Sequence, residues 1–384
     1  MLVLGHVLAL SPVVGRLIDQ IVKPCKTSGI SAAFVAFFTL IFGLFNWGLG
    51  LVFGAILARK VGEQAELQGH PINYPLVGAA GYSALMIWHG GLSGSSLIKV
   101  AEPGHLSNMA PHLEASILPV SMGLGETVFS PMNIVASVTI LILLPALLFV
   151  VGKYGTQATT TSLFEATSKP KTLHPQGAEH LDLSPWFSRS IGLSILAYAL
   201  WTMFSGTSFL AFFTPNNINL LLFGLCLSAH SSIHDFIAAT DEAIVGASGI
   251  LIQFPLYFGI LGLMNESGLV QQISDFFIAH SNETTFPIFT FISAGLVNIF
   301  VPSGGGQWAI QGPVIIQSSI ELGIPLNKSI LALAYGDEIT NMLQPFWALP
   351  LLGITKLKAT EILPYTLLMF GLGSVIYSLA LLIF

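Results

Sequence analysis

Charge is what this chain lacks. Of its 384 residues only 8% are Asp, Glu, Lys or Arg, against 53% apolar, and the mean hydropathy is +0.78. A water-soluble domain is nearer a quarter charged, so that class is excluded. Alternating apolar–polar strands are missing too. The runs at 133–151, 190–204 (extended to Leu210), 217–229, 243–265 and 363–384 are continuous. Most are near the roughly 20 residues a helix needs to cross a bilayer, which argues against a β-barrel. Cysteine is scarce: Cys25 and Cys226 cannot form a disulfide framework and are expected to be inert thiols. Met1–Leu10 is apolar but has no basic n-region or cleavage site, so no cleavable signal peptide is expected. The net charge of −6 says little, because the charges sit in loops. A nucleic-acid partner is not expected; membrane lipid is.

What basic charge exists is informative. All of the thirteen Lys and Arg residues except Lys99 and Lys328 fall in four places. These are Arg16, Lys23 and Lys26; Arg59 and Lys60; Lys153, Lys169, Lys171 and Arg189; and Lys356 and Lys358. Loops 101–130, 207–216 and 266–284 have none. Basic loops stay cytoplasmic, so 16–30 and 58–73 share a side, and 31–57 enters and returns as a re-entrant hairpin with its tip at Asn46-Trp-Gly-Leu-Gly50. Spans 75–98, 131–151, 190–206, 217–233 and 244–265 then alternate. A second hairpin at 286–320 enters from outside, followed by spans 328–353 and 363–384. The Thr-, Ser- and Pro-rich stretch 154–189 reads as a cytoplasmic linker.

The second hairpin carries the strongest signal, Asn298-Ile-Phe-Val-Pro-Ser-Gly-Gly-Gly-Gln-Trp-Ala-Ile-Gln-Gly-Pro313. Three glycines cannot continue a helix cheaply. Non-helical backbone at membrane depth is tolerated only where protein or water satisfies it. The expected tip is 302–307, with Gln311-Gly-Pro313 restarting the return arm. Two spans are also interrupted: 75–98 by Trp88-His-Gly-Gly and Ser93-Gly-Ser-Ser96, and 328–353 by Gln344-Pro345.

The halves match weakly. Leu4-Gly5, Val13 and Leu17-Ile-Asp19 resemble Leu261-Gly262, Val270 and Ile273-Ser-Asp275. Asn46 corresponds to Asn298, and Gly81 with Trp88-His-Gly-Gly91 to Gly336 with Leu343-Gln-Pro345. The expected fold is therefore an all-α polytopic membrane protein with two inverted-topology repeats, 1–153 and 190–384. Each has a re-entrant hairpin and a broken transmembrane helix. The second half carries about 70 residues (190–260) before its matched segment, so the first is expected to lack N-terminal helices.

Such repeats place a site at their interface. The expected substrate-binding residues are Asn46, Trp47, Gly48, Ser93, Ser95, Asn298, Ser303, Gly304, Gly305, Gly306, Gln307 and Gln344. Helix N-terminal N–H groups attract carboxylates, and freed carbonyls and Asn or Ser oxygens suit sodium. With no Arg or Lys inside a span, dipoles and hydroxyls would hold the anion, which favours a small monoanion. Asp337 and Glu338 lie roughly 13 Å into their span. With Asn341 and His89 they are the ion-coupling candidates, for Na+ or H+, with no other cofactor and no metal expected. Asp337 and Glu338 could instead hydrate a vestibule, and His89 could be structural. Trp47, Trp88, Trp308 and Trp347 flank the breaks as candidate pocket walls. Glu126, Asp235, Asp241 and Glu242 lie near span ends and read as capping or solvated residues.

The chain resembles the short-chain fatty acid transporter family, the acetoacetate and butyrate uptake type. The resemblance rests on Pro302-Ser-Gly-Gly-Gly-Gln-Trp-Ala-Ile-Gln-Gly-Pro313 and Gln344-Pro-Phe-Trp-Ala-Leu-Pro350. Asn46-Trp-Gly-Leu-Gly-Leu-Val52, Gly90-Gly-Leu-Ser-Gly-Ser95 and Ile252-Gln-Phe-Pro-Leu-Tyr-Phe-Gly259 extend it. That family is similar to the ion-coupled carboxylate carriers. The resemblance implies short-chain carboxylate uptake across a bacterial cytoplasmic (inner) membrane, an elevator mechanism and a homodimer. The Ser-Asn-Thr tip motif of the dicarboxylate carriers is absent, so their sodium stoichiometry does not transfer. Relatives carry more N-terminal sequence. Alternatives are a carrier of another organic anion, such as lactate or a C4-dicarboxylate, a passive channel, or an intramembrane protease. The protease patterns, Gly91-Leu-Ser-Gly94 and Tyr335-Gly-Asp337, lack a partner His deep in a later span and a second intramembrane Asp.

Overall fold

The computed structural model describes residues 2–111, 113, 117–155, 177, 179–205, 212–269, 272, 275–276 and 279–384, and contains no strand among them. The first half comprises α1 (Leu2–Ala9), α2 (Pro12–Val22), α3 (Ser28–Phe45), α4 (Trp47–Gln68), α5 (Tyr74–Ala80), a 3-10 turn at Ser83–Met86, α6 (Ser95–Lys99), α7 (His105–Met109) and α8 (Pro131–Tyr154). After α9 (Glu179–Asp182) come α10 (Pro185–Ser205), α11 (Pro215–Ala229) and α12 (Ile233–Glu266). The chain ends with α13 (Phe286–Phe300), α14 (Gly304–Glu321), α15 (Leu326–Thr340), a 3-10 turn at Asn341–Leu343, α16 (Pro345–Thr355) and α17 (Ala359–Ile383).

Local chemistry starts many of these helices. Ser11, Ser130 and Thr214 each accept a hydrogen bond from the third residue onward and are followed by proline, whose missing N–H costs nothing in a first turn. By length and composition α3, α8 and α17 are each able to cross a membrane. So is the pair α1–α2, bent by 65°, if counted as one span. Their outward faces are apolar, as at Ile134, Val138 and Ile142 of α8 and Leu367, Val375 and Leu379 of α17.

Helix α3 packs on α4 and α8, and α13 packs on α14 and α15. The two groups meet where α15 contacts α6 and the Ser83–Met86 turn. At Gly336 of α15 a side chain would run into the carbonyl oxygen of Phe291, so α13 and α15 touch backbone to backbone.

Several boundaries differ from the sequence reading. Gly304–Gly306 do not interrupt a helix; they open one. The interruption is Val301–Ser303, and α14 continues unbroken through Pro313. First-turn N–H groups have no intrahelical partner in any case, so the poor propensity of glycine matters least there. Likewise only Asn46 is non-helical between α3 and α4, and the expected loop 58–73 is helical to Gln68. Asp241 and Glu242 lie exposed inside α12 rather than capping it. Val270, Ile273, Ser274, part of the linker at 156–176 and 178, and most of the loop at 206–211 lie outside the described residues.

Candidate functional site

Four interruptions converge, and polar side chains hold each in place. Asn46 serves two helices. Its N–H donates to Phe42 O and ends α3, while its Oδ1 accepts from Leu49 N–H (2.9 Å) and starts α4. Beside it, Trp47 N–H donates to Ser93 Oγ (2.9 Å), and Leu92 N–H donates to Leu44 O (2.8 Å). The non-helical stretch before α6 is thus docked on the α3–α4 junction. In the second half, Gln344 Nε2 donates to Asn298 O and Ile299 O (3.0 and 2.6 Å), satisfying carbonyls that the end of α13 leaves open. Asn298 Nδ2 lies within hydrogen-bonding distance of Asp337 O, Thr340 Oγ1 and Asn341 Oδ1.

The two halves are joined by buried polar contacts. Glu338 Oε2 accepts from the backbone N–H groups of His89 (2.8 Å) and Gly90 (3.2 Å). Asp337 Oδ2 lies 2.5 Å from His89 Nδ1. Both carboxylates and the imidazole are at most 1% exposed. Around them Tyr82 O–H faces Asn341 O and Gln344 O (2.8 and 3.0 Å), and Tyr377 O–H donates to Met86 O (2.7 Å). Asn341 Nδ2 donates to Leu85 O (3.3 Å). Unpaired backbone at a helix break costs about 1–3 kcal/mol per group when buried. Here the breaks at Asn46 and after α13 are satisfied within their own halves, and those at His89–Gly90 and Asn341–Gln344 by Glu338 and Tyr82 of the opposite half. Gly304, the first residue of α14, sits on this cluster: a Cβ there would lie 2.8 Å from His89 Cε1 and 3.1 Å from Asp337 Oδ2.

Adjacent to Gly304 is a cavity of about 360 Å³ lined by Trp47, Ser93, Ser95, Lys99, His105 and Trp308, with Gly305 and Met109 at its edge. That volume falls in the usual range for small-molecule sites, roughly 300–1,000 Å³. Trp47 stacks edge-on against Trp347 (5.3 Å between ring centroids) and lies 6.3 Å from Trp88, while Trp308 stands apart on the other wall.

Of the residues singled out in the sequence, Trp47, Ser93, Ser95 and Gly305 line this cavity. Asn46 and Gln344 bond to backbone around the breaks instead, and Asn298 to Asp337 O and the side chains of Thr340 and Asn341. Gln307 Nε2 faces Ala294 O and Gln311 Oε1 (both 2.7 Å). Ser303 accepts from Gly306 N–H (3.2 Å) as the cap of α14. Gly48 lies under Gly5 of α1, away from the cavity.

Sequence reasoning missed Lys99, His105 and Met109. It placed no basic residue near an anion because Lys99 follows the predicted span. The helical turn of α6 puts Lys99 on the face of Ser95, four residues earlier, a relation the sequence did contain. Lys99 Nζ also pairs with Glu102 (3.0 Å). The approach of α7 to α14 left no sequence signal.

His105 Nε2 accepts from Trp308 Nε1–H (2.9 Å). Burial lowers the His105 pKa; Glu102 opposes and Lys99 assists. Since the folded value lies below the ordinary one of about 6.5, the stability from this bond is complete above that value. It is lost as pH falls from there toward the folded value. The Trp308 fluorescence, taken as wild type minus Trp308→Phe, is therefore expected to change on acidification below about pH 6.5. His105→Gln, which keeps an acceptor but cannot titrate, should abolish the change; an unaltered pH response in that variant would reject the pairing.

Comparison with known proteins identifies the family. A family model described as "Short chain fatty acid transporter" matches residues 1–384. A protein of Escherichia coli (strain K12) named "Putative short-chain fatty acid transporter" is 36% identical over 389 residues, covering 100% of this chain and 85% of that protein. A protein of the same name from Haemophilus influenzae is 34% identical over 380 residues, covering 94% of this chain and 80% of that one. In fold, the chain is similar to the crystal structure of the Alcanivorax borkumensis YdaH transporter, with a TM-score of 0.51. The identity there is 20%, covering 98% of this chain and 84% of that one. The family is one of transporters, which sets aside the protease alternative. The chain, helical and without strands among the described residues, is an integral membrane protein that belongs to the short-chain fatty acid transporter family.

Proposed function

We propose that this protein is a secondary active carrier of short-chain monocarboxylates, such as butyrate or acetoacetate, across the bacterial cytoplasmic membrane. The observation that carries the proposal is the cavity between the α3–α4 junction, the start of α6 and the N-terminal end of α14. It joins one permanent cation, Lys99, and the Ser93 and Ser95 hydroxyls to the aromatic walls Trp47 and Trp308. A carboxylate would meet Lys99 and the hydroxyls, and a short alkyl chain would lie against the indoles. A single lysine already paired with Glu102 suits a monoanion better than a C4-dicarboxylate. Lactate, also a monoanion, is separated by competition.

In this proposal α3–α4 and α13–α14 are re-entrant hairpins of two inverted repeats, and a cation drives the cycle through His89, Asp337, Glu338 and Asn341. Elevator-type movement of the site, assembly as a homodimer and contact of the apolar outer faces with lipid complete it.

The test is uptake of radiolabelled butyrate into proteoliposomes, corrected for protein-free vesicles, with acetoacetate, lactate and succinate as competitors. Inhibition by acetoacetate but not succinate is expected; no protein-dependent uptake would refute the carrier reading. Lys99→Gln should raise KM for butyrate roughly five- to tenfold, the value of about 1 kcal/mol for a half-exposed ion pair. Glu102→Gln frees Lys99 and should lower KM. Equal KM in both variants would remove Lys99 from the site.

A further inference from the structure

The contacts of the His89 ring distinguish its two nitrogens. Ser96 N–H donates to Nε2 (3.1 Å), so Nε2 carries no proton; Ser96 Oγ lies 2.9 Å from the same atom. A neutral imidazole then has its proton on Nδ1, which donates to Asp337 Oδ2 (2.5 Å). A second proton has two places to go: Asp337, or His89 Nε2. At Nε2 it would set N–H against the Ser96 backbone N–H and break that bond, leaving Ser96 Oγ to accept from the ring. Ser96 lies in the first turn of α6, directly after Ser93, Gly94 and Ser95, which line the cavity. Ser93 in turn holds Trp47 N–H at the α3–α4 junction.

The lid over the pair belongs to the other half. Gly304 rests on His89 Cε1 and Asp337 Oδ2, and its neighbour Gly305 lines the cavity. The α14 end therefore separates the pair from the substrate space while touching both. The groups facing the pair are few. From α15 come Asp337 itself and Glu338, with Tyr335 and, from α17, Tyr377 stacked next to Glu338 (4.2 Å between ring centroids). The tip Ser303–Gln307 contributes no titratable side chain; Lys99 and His105 line the cavity, and Glu102 pairs with Lys99.

We infer that the His89–Asp337 pair is the binding site of the coupling ion, that the ion is a proton, and that its arrival loosens the Ser93–Ser96 wall of the substrate cavity. This rests on the carrier reading above. Sodium suits the pair less well than a proton: Asp337 Oδ2 already receives a ring N–H and Glu338 Oε2 two backbone N–H groups, and although Glu338 Oε1 has no hydrogen-bond partner, sodium needs several such oxygens. The proton joins and leaves the pair with no other covalent bond made or broken.

The experiment compares purified protein in proteoliposomes under an inward proton gradient and under an equal inward sodium gradient, corrected for protein-free vesicles. Butyrate exchange at equal pH on both sides is measured alongside. Wild type should accumulate butyrate with the proton gradient at least fivefold more than with sodium. Asp337→Asn, which still accepts from Nδ1, should lose that accumulation and flatten the pH profile of exchange. Ser96→Pro removes the N–H that opposes protonation at Nε2, in a first turn that tolerates proline. Its pH profile should shift to higher pH. Sodium-driven accumulation, or an unchanged pH profile in either folded variant, overturns the inference while exchange by wild type keeps the carrier reading. Absence of exchange by wild type overturns both. If neither variant folds, the wild-type comparison of the two gradients decides.

Discussion

Replacing Glu338 with alanine is expected to cost this protein more stability than any other single change considered above. Its Oε2 is the acceptor for the N–H groups of His89 and Gly90, both buried in the non-helical stretch before α6. Removing it strands two donors, at about 1–3 kcal/mol each, and leaves a cavity besides. A loss of about 2–6 kcal/mol follows from the donors alone. At roughly 2–4 °C per kcal/mol for a chain of a few hundred residues, the melting temperature should fall by about 5–20 °C. Glu338→Gln separates charge from hydrogen bonding. Its amide oxygen can occupy the Oε2 position, while its NH2 takes the place of Oε1, which has no hydrogen-bond partner in the structure. The glutamine variant should therefore stay within a few degrees of wild type. The check is thermal unfolding of the detergent-solubilised protein followed by size exclusion. Equal losses in the two variants would show that charge, not acceptance, is what Glu338 supplies.

The largest effect on transport is expected at Gly304. An alanine Cβ would approach His89 Cε1 to 2.8 Å and Trp88 Cη2 and Asp337 Oδ2 to 3.1 Å. None of these can yield easily. The His89 ring is held through both nitrogens, and Trp88 stacks on it at 4.7 Å. The start of α14 must therefore lift away, which displaces one wall of the cavity. A displacement of about 1 Å at a substrate site costs on the order of 100-fold in rate, so uptake by Gly304→Ala should fall roughly 10- to 100-fold with normal membrane abundance. The neighbouring Gly305 is the control. A Cβ there meets only Ser95, at 3.8–3.9 Å, an ordinary contact. Gly305→Ala should be much the milder. Similar losses at both positions would mean that glycine is needed at the tip for backbone flexibility rather than for fit against His89.

Much of the architecture was legible because it depends on residues close together in sequence. Continuous apolar runs dictate helices in a membrane, and Gln344-Pro345 stops one for want of an N–H. The glycines of 304–306 misled for a local reason as well: propensity counts against them inside a helix but little in its first turn. Their order after Ser303 was a start signal, not a stop. Asn46 and Asn298 stood out as polar groups in apolar surroundings: Asn46 is the interruption between α3 and α4, and Asn298 lies in the last turn of α13. What they bond to there, backbone and neighbouring side chains rather than cavity, depends on atoms brought in by packing.

The sequence by itself determined the class of this protein, the membership of its family and the short list of polar residues that its interior contains. Those follow from composition and from motifs a few residues long. Only the tertiary structure decided how the list divides. It set His89 against Asp337, 248 residues away, with Glu338 capping the same break. It also brought Lys99, His105 and Trp308 to one cavity. The physical reason is that a broken helix exposes backbone groups with no local partner. Which side chains satisfy them is settled by how the two halves pack, and no pattern of spacing along the chain encodes that.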